Sequence, residues 1–73
     1  MMGPVKANGD AIKTIRERTR LTKTELADAA GIDRTQLHRI ESGERNGTDK
    51  QIGAIADALK CPVTAIIQWP EVA

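Results

Sequence analysis

The sequence predicts an all-α fold in which five short helices form one compact bundle. Three observations carry that prediction. Ala and Ile dominate the apolar residues, and Ala is the strongest helix former and a poor strand residue. Apolar residues recur three and four apart, and no run alternates apolar and polar positions between turn signals as a half-buried strand would. Side chains that cap helices (Asp10, Thr22, Asp33, Thr48) stand ahead of the periodic stretches, and Gly31, Gly43 and Pro62 stand behind them.

The first helix is expected from Asp10, whose carboxylate can accept free amides, to about Thr19, with Ile12 and Ile15 on one face. Thr22-Lys23-Thr24-Glu25 has the form of a capping box and opens a second helix over 23–30, with Leu26, Ala27 and Ala30 inward. Gly31 stops it, since glycine adopts the left-handed conformation that a sharp turn needs. Asp33 caps a third helix over 34–41, with Leu37 and Ile40 on its inner face. Residues 42–47 form a loop. Thr48 then caps a fourth helix over 49–59, whose Ile52, Ile55, Ala56 and Leu59 make the clearest amphipathic stripe in the chain. Cys61-Pro62 ends it, and a short fifth helix over 63–68 offers Val63, Ile66 and Ile67.

Length and composition bound the function. At 73 residues the chain makes one small domain, with residues 1–9 read as a flexible lead-in, 10–69 as the folded unit and 70–73 as a tail. A domain of this size buries only about 60% of its unfolded surface, which leaves one thin core and no deep catalytic cleft. No run approaches the roughly 18 apolar residues of a membrane span. The N-terminus lacks the apolar centre of a signal peptide, and the single Cys61 forms no bridge within the chain, so a reducing, cytoplasmic setting is expected. Catalysis needs a base beside a nucleophile, and one Ser, one Cys and one His at unrelated spacings do not supply it. His38 and Cys61 have no partner at metal-binding spacing. No enzyme activity, metal, cofactor or small-molecule ligand is expected.

What remains is a surface. Two helices of about two turns each, joined by Gly31-Ile32-Asp33, are too tightly linked to lie antiparallel and must cross at a wide angle. Ala27 is small enough for that crossing, and Leu37 and Ile40 pack behind it. The outer face of the third helix then carries Arg34, Thr35, Gln36, His38 and Arg39. These are hydrogen-bonding side chains on a convex helix, and Arg and Gln match the edges of guanine and adenine in a major groove.

The segments Ile15-Arg16-Glu17, Leu21-Thr22-Lys23-Thr24-Glu25-Leu26-Ala27 and Gly31 through Gly43, followed by Arg45-Asn46 and Ile55-Ala56-Asp57-Ala58-Leu59, resemble the Cro/CI-type (Xre) helix-turn-helix family. The resemblance covers residues 10–67 and implies a lambda-repressor-like bundle that binds double-stranded DNA through its major groove. By position it implies base reading by Arg34, Thr35, Gln36, His38 and Arg39. It places Lys23, Thr24, Arg45 and Asn46 on the DNA backbone, and it makes Arg16 and Glu41 a structural ion pair. Lys23 stands where the family usually carries Gln, and Gly47 where it often carries Pro.

The net charge of only +1 fits least well with DNA. Its distribution answers this: Asp10, Glu25, Asp33 and Asp49 sit at helix starts, whereas Lys23, Arg34, Arg39 and Arg45 gather on the helix-turn-helix and the adjoining loop. The resemblance implies a sequence-specific transcriptional regulator, a small Cro-like repressor on a pseudo-palindromic operator, in a bacterial or phage-infected cell. One such domain reads few base pairs, so a weak homodimer assembling on DNA is expected, with Ile66, Trp69 and Val72 as its candidate contact. The alternative is an antitoxin or other interaction module whose main partner is a protein.

Overall fold

Each helix starts where a side-chain oxygen takes up amides that have no carbonyl partner. In the computed structural model, which describes residues 6–68, these starts define α1 (Gly9–Arg18), α2 (Lys23–Ala30), α3 (Arg34–Ser42) and α4 (Asp49–Leu59). Thr22 Oγ1 accepts the Glu25 N–H at 3.0 Å while Glu25 Oε1 accepts the Thr22 N–H at 2.9 Å, the reciprocal box expected for α2. Those bonds from the Thr22 backbone and hydroxyl hold the Glu25 carboxyl below the usual carboxylate range. The box is therefore closed at neutral pH and opens only as pH falls through that lowered value. Asp33 accepts the Thr35 N–H at 3.0 Å to start α3. Thr48 forms a second reciprocal box with Gln51 at the head of α4.

The first cap is Asn8 rather than Asp10. Asn8 Oδ1 accepts the Ala11 N–H at 3.1 Å, and Asp10 lies within the first turn, where its charge still favours the helix dipole. The shift has a packing cause. Gly9 is buried against the end of α3, where a Cβ would fall on the Glu41 carbonyl oxygen and 2.7 Å from that of Ile40. Only glycine lets the head of α1 approach so closely, and this places the positive end of one helix beside the terminal carbonyls of another.

Gly31 ends α2 at φ +71°, and the Ile32 N–H reaches back to the Ala27 carbonyl at 3.0 Å. This left-handed cap turns the chain sharply out of α2 toward α3. Ile12, Leu26, Leu37, Ile40, Ile52, Ile55 and Ile66 are fully buried in one cluster, and Ala27, with 1% exposure, lets the helices meet closely there. Among the described residues no helix is long and apolar enough to cross a membrane.

The all-α class holds with four α-helices instead of five. After Pro62 the chain closes only one 3-10 turn, Val63–Ala65, with the Ile66 N–H on the Val63 carbonyl at 3.0 Å. It then extends as β2 (Ile67–Gln68), which pairs antiparallel with β1 (Lys6–Ala7), Lys6 opposite Gln68 and Ala7 opposite Ile67. Residues 6–9 are thus part of the fold and not a lead-in. Ile66 departs from the expected dimer contact because it fills the core at 0% exposure, and a second copy has nothing there to touch. Trp69 and Val72 lie outside the described residues.

Arg16 and Glu41 form the expected pair. Arg16 Nε donates to Glu41 Oε2 at 2.8 Å, Nη2 donates to Oε1 at 3.2 Å, and Nη1 donates to the Leu21 carbonyl at 2.9 Å. Both residues are 7% exposed. One guanidinium therefore binds α1, the α1–α2 linker and the end of α3 together with charge-assisted bonds.

Removing one partner leaves a buried charge uncompensated. Glu41→Ala is expected to cost about 3 kcal/mol and to lower Tm by roughly 15 °C. The apolar double variant Arg16→Met with Glu41→Leu should recover most of that loss by calorimetry. The two glycines of opposite setting should part in denaturant titrations. Gly9→Ala is expected to lose about 1–3 kcal/mol from overpacking against α3. Gly53→Ala, inside α4 with open space around its Cβ position, should gain about 0.5–1 kcal/mol.

Candidate nucleic-acid interface

Helix α3 buries Leu37, Ile40 and Glu41, so the rest of its surface is fixed by the 3.6-residue period. Thr35 and Arg39 lie opposite the buried stripe and point straight away from the body. Arg34 and His38, one turn apart, lie on the flank next to α2. Gln36 lies on the flank next to α4. Arg34, Thr35, His38 and Arg39 are exposed, and Gln36 is half-buried.

Each flank is braced by a neighbouring helix. Lys23, the first residue of α2, places its Nζ 2.9 Å from His38 Nδ1. On the other side Gln36 Nε2 donates to Gln51 Oε1 at 3.4 Å, the same oxygen that accepts the Thr48 N–H at 3.0 Å in the α4 capping box. The capping chemistry of α2 and α4 thereby extends into contacts with the exposed helix. Gln51 was missed as a functional neighbour, although Thr48-x-x-Gln51 carries the capping-box spacing and could have drawn attention to it.

The centre of the face is less constrained. Arg39 Nε lies 3.7 Å from Glu44 Oε2, with the two side chains 45% and 69% exposed. A pair so open to water is worth at most about 1 kcal/mol, so Arg39 exchanges Glu44 for another anion at small cost. The Arg34 side chain is exposed and enters neither of the two ion pairs found among the described residues.

The α3–α4 loop sits at the foot of α3, held by the Arg45 N–H on the Arg39 carbonyl at 3.1 Å. Arg45 is exposed there. Asn46 is exposed as well, and its Oδ1 accepts the Ala7 N–H at 2.7 Å and so fastens the loop to β1. Lys6, Ala7, Glu44, Arg45 and Asn46 line a shallow open groove of about 350 Å³ between that loop and the ribbon. Thr24 is exposed in the first turn of α2 beside Lys23.

The electrostatics follow from what each acid already does. Glu41 is consumed by Arg16, Glu25 by the Thr22 box and Asp33 by the Thr35 amide. Lys23, Arg34, Arg39 and Arg45 stand on α3, the head of α2 and the adjoining loop, with Glu44 the one acid among them that is not engaged in a cap or the core pair. A chain of net charge +1 thus presents a cationic ridge. Cys61 lies half-buried behind α4, packed on the core with its thiol pushed up by burial, and takes no part in the ridge.

The comparisons with known proteins agree with this geometry. Residues 9–66 match the family model described as a helix-turn-helix domain. The chain is similar to the immunity repressor protein of Bacillus phage phi105, with 37% identity over 59 residues, 81% of this chain and 41% of that protein. It is also similar to the HTH-type transcriptional repressor RghR of Bacillus subtilis, with 34% identity over 61 residues, 81% of this chain and 44% of that protein. It therefore spans less than half the length of these two curated relatives. Among solved structures it superposes on the restriction-modification controller protein C.AhdI from Aeromonas hydrophila with a TM-score of 0.76 and 28% identity, covering 78% of this chain and 86% of that one. It superposes on the biofilm regulator SinR, solved in complex with DNA, with a TM-score of 0.73 and 26% identity, covering 77% and 90%. With a glycine-capped turn between α2 and α3 and a family match over 9–66, the chain belongs to the helix-turn-helix family, in its Cro/CI (Xre) branch.

Proposed function

We propose that this chain is the DNA-reading unit of a sequence-specific transcriptional repressor. Helix α3 enters the major groove, and the head of α2 and the α3–α4 loop grip the phosphates on either side. The observation that carries this reading is the convex α3 face, where Arg34, Thr35, His38 and Arg39 are exposed while Leu37 and Ile40 anchor the helix from behind. The relatives named as repressors and the likeness to a regulator solved with DNA support it.

Roles divide by position. Thr35 and Arg39 project deepest and reach base edges, with Arg34 and His38 on one side and Gln36 on the other. Gln36 works from its bond to Gln51, which orients its amide. Lys23, Thr24 and Arg45 contact the backbone. Asn46 supports that contact by fixing the loop to β1. One such face covers only a few base pairs. Repression therefore uses two copies on half-sites about 34 Å apart, paired as a weak homodimer on a pseudo-palindromic operator in the cytoplasm of a bacterial or phage-infected cell.

Selection from random duplex DNA followed by sequencing tests the reading directly. It should enrich one word, repeated with two-fold symmetry at about one helical turn; a pool with no shared word would overturn the assignment. Once the word is known, Arg34→Ala and Arg39→Ala should each lose about 1–3 kcal/mol and relax one base position. Arg45→Ala should weaken all sequences alike and reduce the salt dependence by about one counterion.

A further inference from the structure

We propose that Lys23 sets the hydrogen-bond polarity of His38, so that His38 reads an acceptor on a base edge through its Nε2–H. The proposal rests on the DNA reading above and adds to it a specificity role for two residues acting as a unit. An ammonium group has three donors and no acceptor. With Lys23 Nζ 2.9 Å from Nδ1, that ring nitrogen must supply the lone pair, and the proton of the neutral imidazole sits on Nε2. Nδ1 faces the head of α2, and Nε2 lies on the ring edge turned away from it.

The surroundings favour this arrangement. Lys23 is the group of α2 that meets His38. On α3 itself the charged residues one turn away are Arg34 and Glu41, the latter held by Arg16, and the adjacent Arg39 pairs with Glu44. Neither of the two ion pairs among the described residues brings a carboxylate to His38, so no acid competes to draw the proton onto Nδ1. Lys23 is held in turn, because its backbone begins α2 directly behind the Thr22–Glu25 box. Lys23 is therefore a positioning residue for His38 as well as a backbone contact.

The chemical consequence is a choice of base. In the major groove guanine offers acceptors at N7 and O6, thymine at O4 and adenine at N7, whereas cytosine offers the N4 donor. A fixed Nε2–H donates best to guanine, which offers two acceptors, and finds none on cytosine. Without Lys23 the ring is free to carry its proton on Nδ1 and turn a lone pair outward, which removes that discrimination.

Two measurements test the proposal. The first is nitrogen-15 NMR of the histidine ring in the DNA-free protein, at a pH where the imidazole is neutral. The Nε2–H pattern is expected for the wild type and a mixture of tautomers for Lys23→Met. The second is binding-site selection with the wild type, Lys23→Met, Lys23→Arg and His38→Ala. Lys23→Met should lose about tenfold of the discrimination against cytosine at one column, the same column that His38→Ala relaxes, and Lys23→Arg should keep it. An Nδ1–H ring in the wild type would overturn the proposal, as would a Lys23→Met pool with the wild-type word and uniformly weaker binding; the DNA reading survives both results. A wild-type pool with no enriched word would remove the DNA reading and the proposal together.

Discussion

The two-pronged contact of Arg16 with Glu41 is the constraint on which the rest of the structure depends. A thin core of mostly Ile and Leu holds helices together but is tolerant of sliding, because apolar attraction has no direction. The guanidinium is directional. It fixes the end of α3 against α1 through the carboxylate and the start of α2 against α1 through the Leu21 carbonyl. The close approach of Gly9 to the last carbonyls of α3 works at the same junction. The tilt of the exposed helix is therefore set at its buried end by charge-assisted bonds and a missing Cβ, and the outward face inherits that accuracy.

A second consequence concerns charge. Asp10, Glu25, Asp33, Glu41 and Asp49 are spent locally, on caps, on the dipoles of helix starts and on Arg16, which leaves Glu44 as the acid beside the basic side chains on α3, the head of α2 and the adjoining loop. This is how a nearly neutral domain presents a cationic ridge without the self-repulsion of a large net charge. The same design limits long-range attraction to a polyanion, so discrimination has to come from the shape and hydrogen-bond pattern of α3 more than from bulk charge.

Much of the fold could be read from residue order alone, and the exceptions have physical causes. The Thr22-x-x-Glu25 box, the stop at Gly31, the α4 stripe and the Arg16–Glu41 pair are short-range or strongly patterned signals. The start of α1 was misplaced because Asn8 and Asp10 are both good caps, and the choice between them is made by Gly9 meeting α3, a contact across more than thirty residues. The ribbon escaped notice because two-residue strands have no period to detect. The fifth helix failed for a related reason: Val63, Ile66 and Ile67 have helical spacing, but Ile66 is drawn into the core and the chain must extend to meet β1. On the exposed face the residue list was legible, while the bonds from Lys23 and Gln51 were not, since they join elements fifteen residues apart.

Those bonds bear on how so small a face can discriminate. A free arginine loses up to about 2 kcal/mol of rotamer entropy when it is ordered on a base, and that cost recurs for each one used. His38 and Gln36 have already spent part of theirs, because Lys23 and Gln51 hold them in the folded chain. On the DNA reading, the long central Arg39 reads its base edge only after it has been ordered there, at that entropic cost. The two braced flanks cannot adapt without breaking a bond to α2 or α4, so a mismatched edge there meets a donor or acceptor that will not turn away. The side chains whose partners lie within the protein thus add selectivity to that of the arginines. Any change at the head of α2 or α4 that loosens those partners would blur recognition while leaving the recognition helix itself intact.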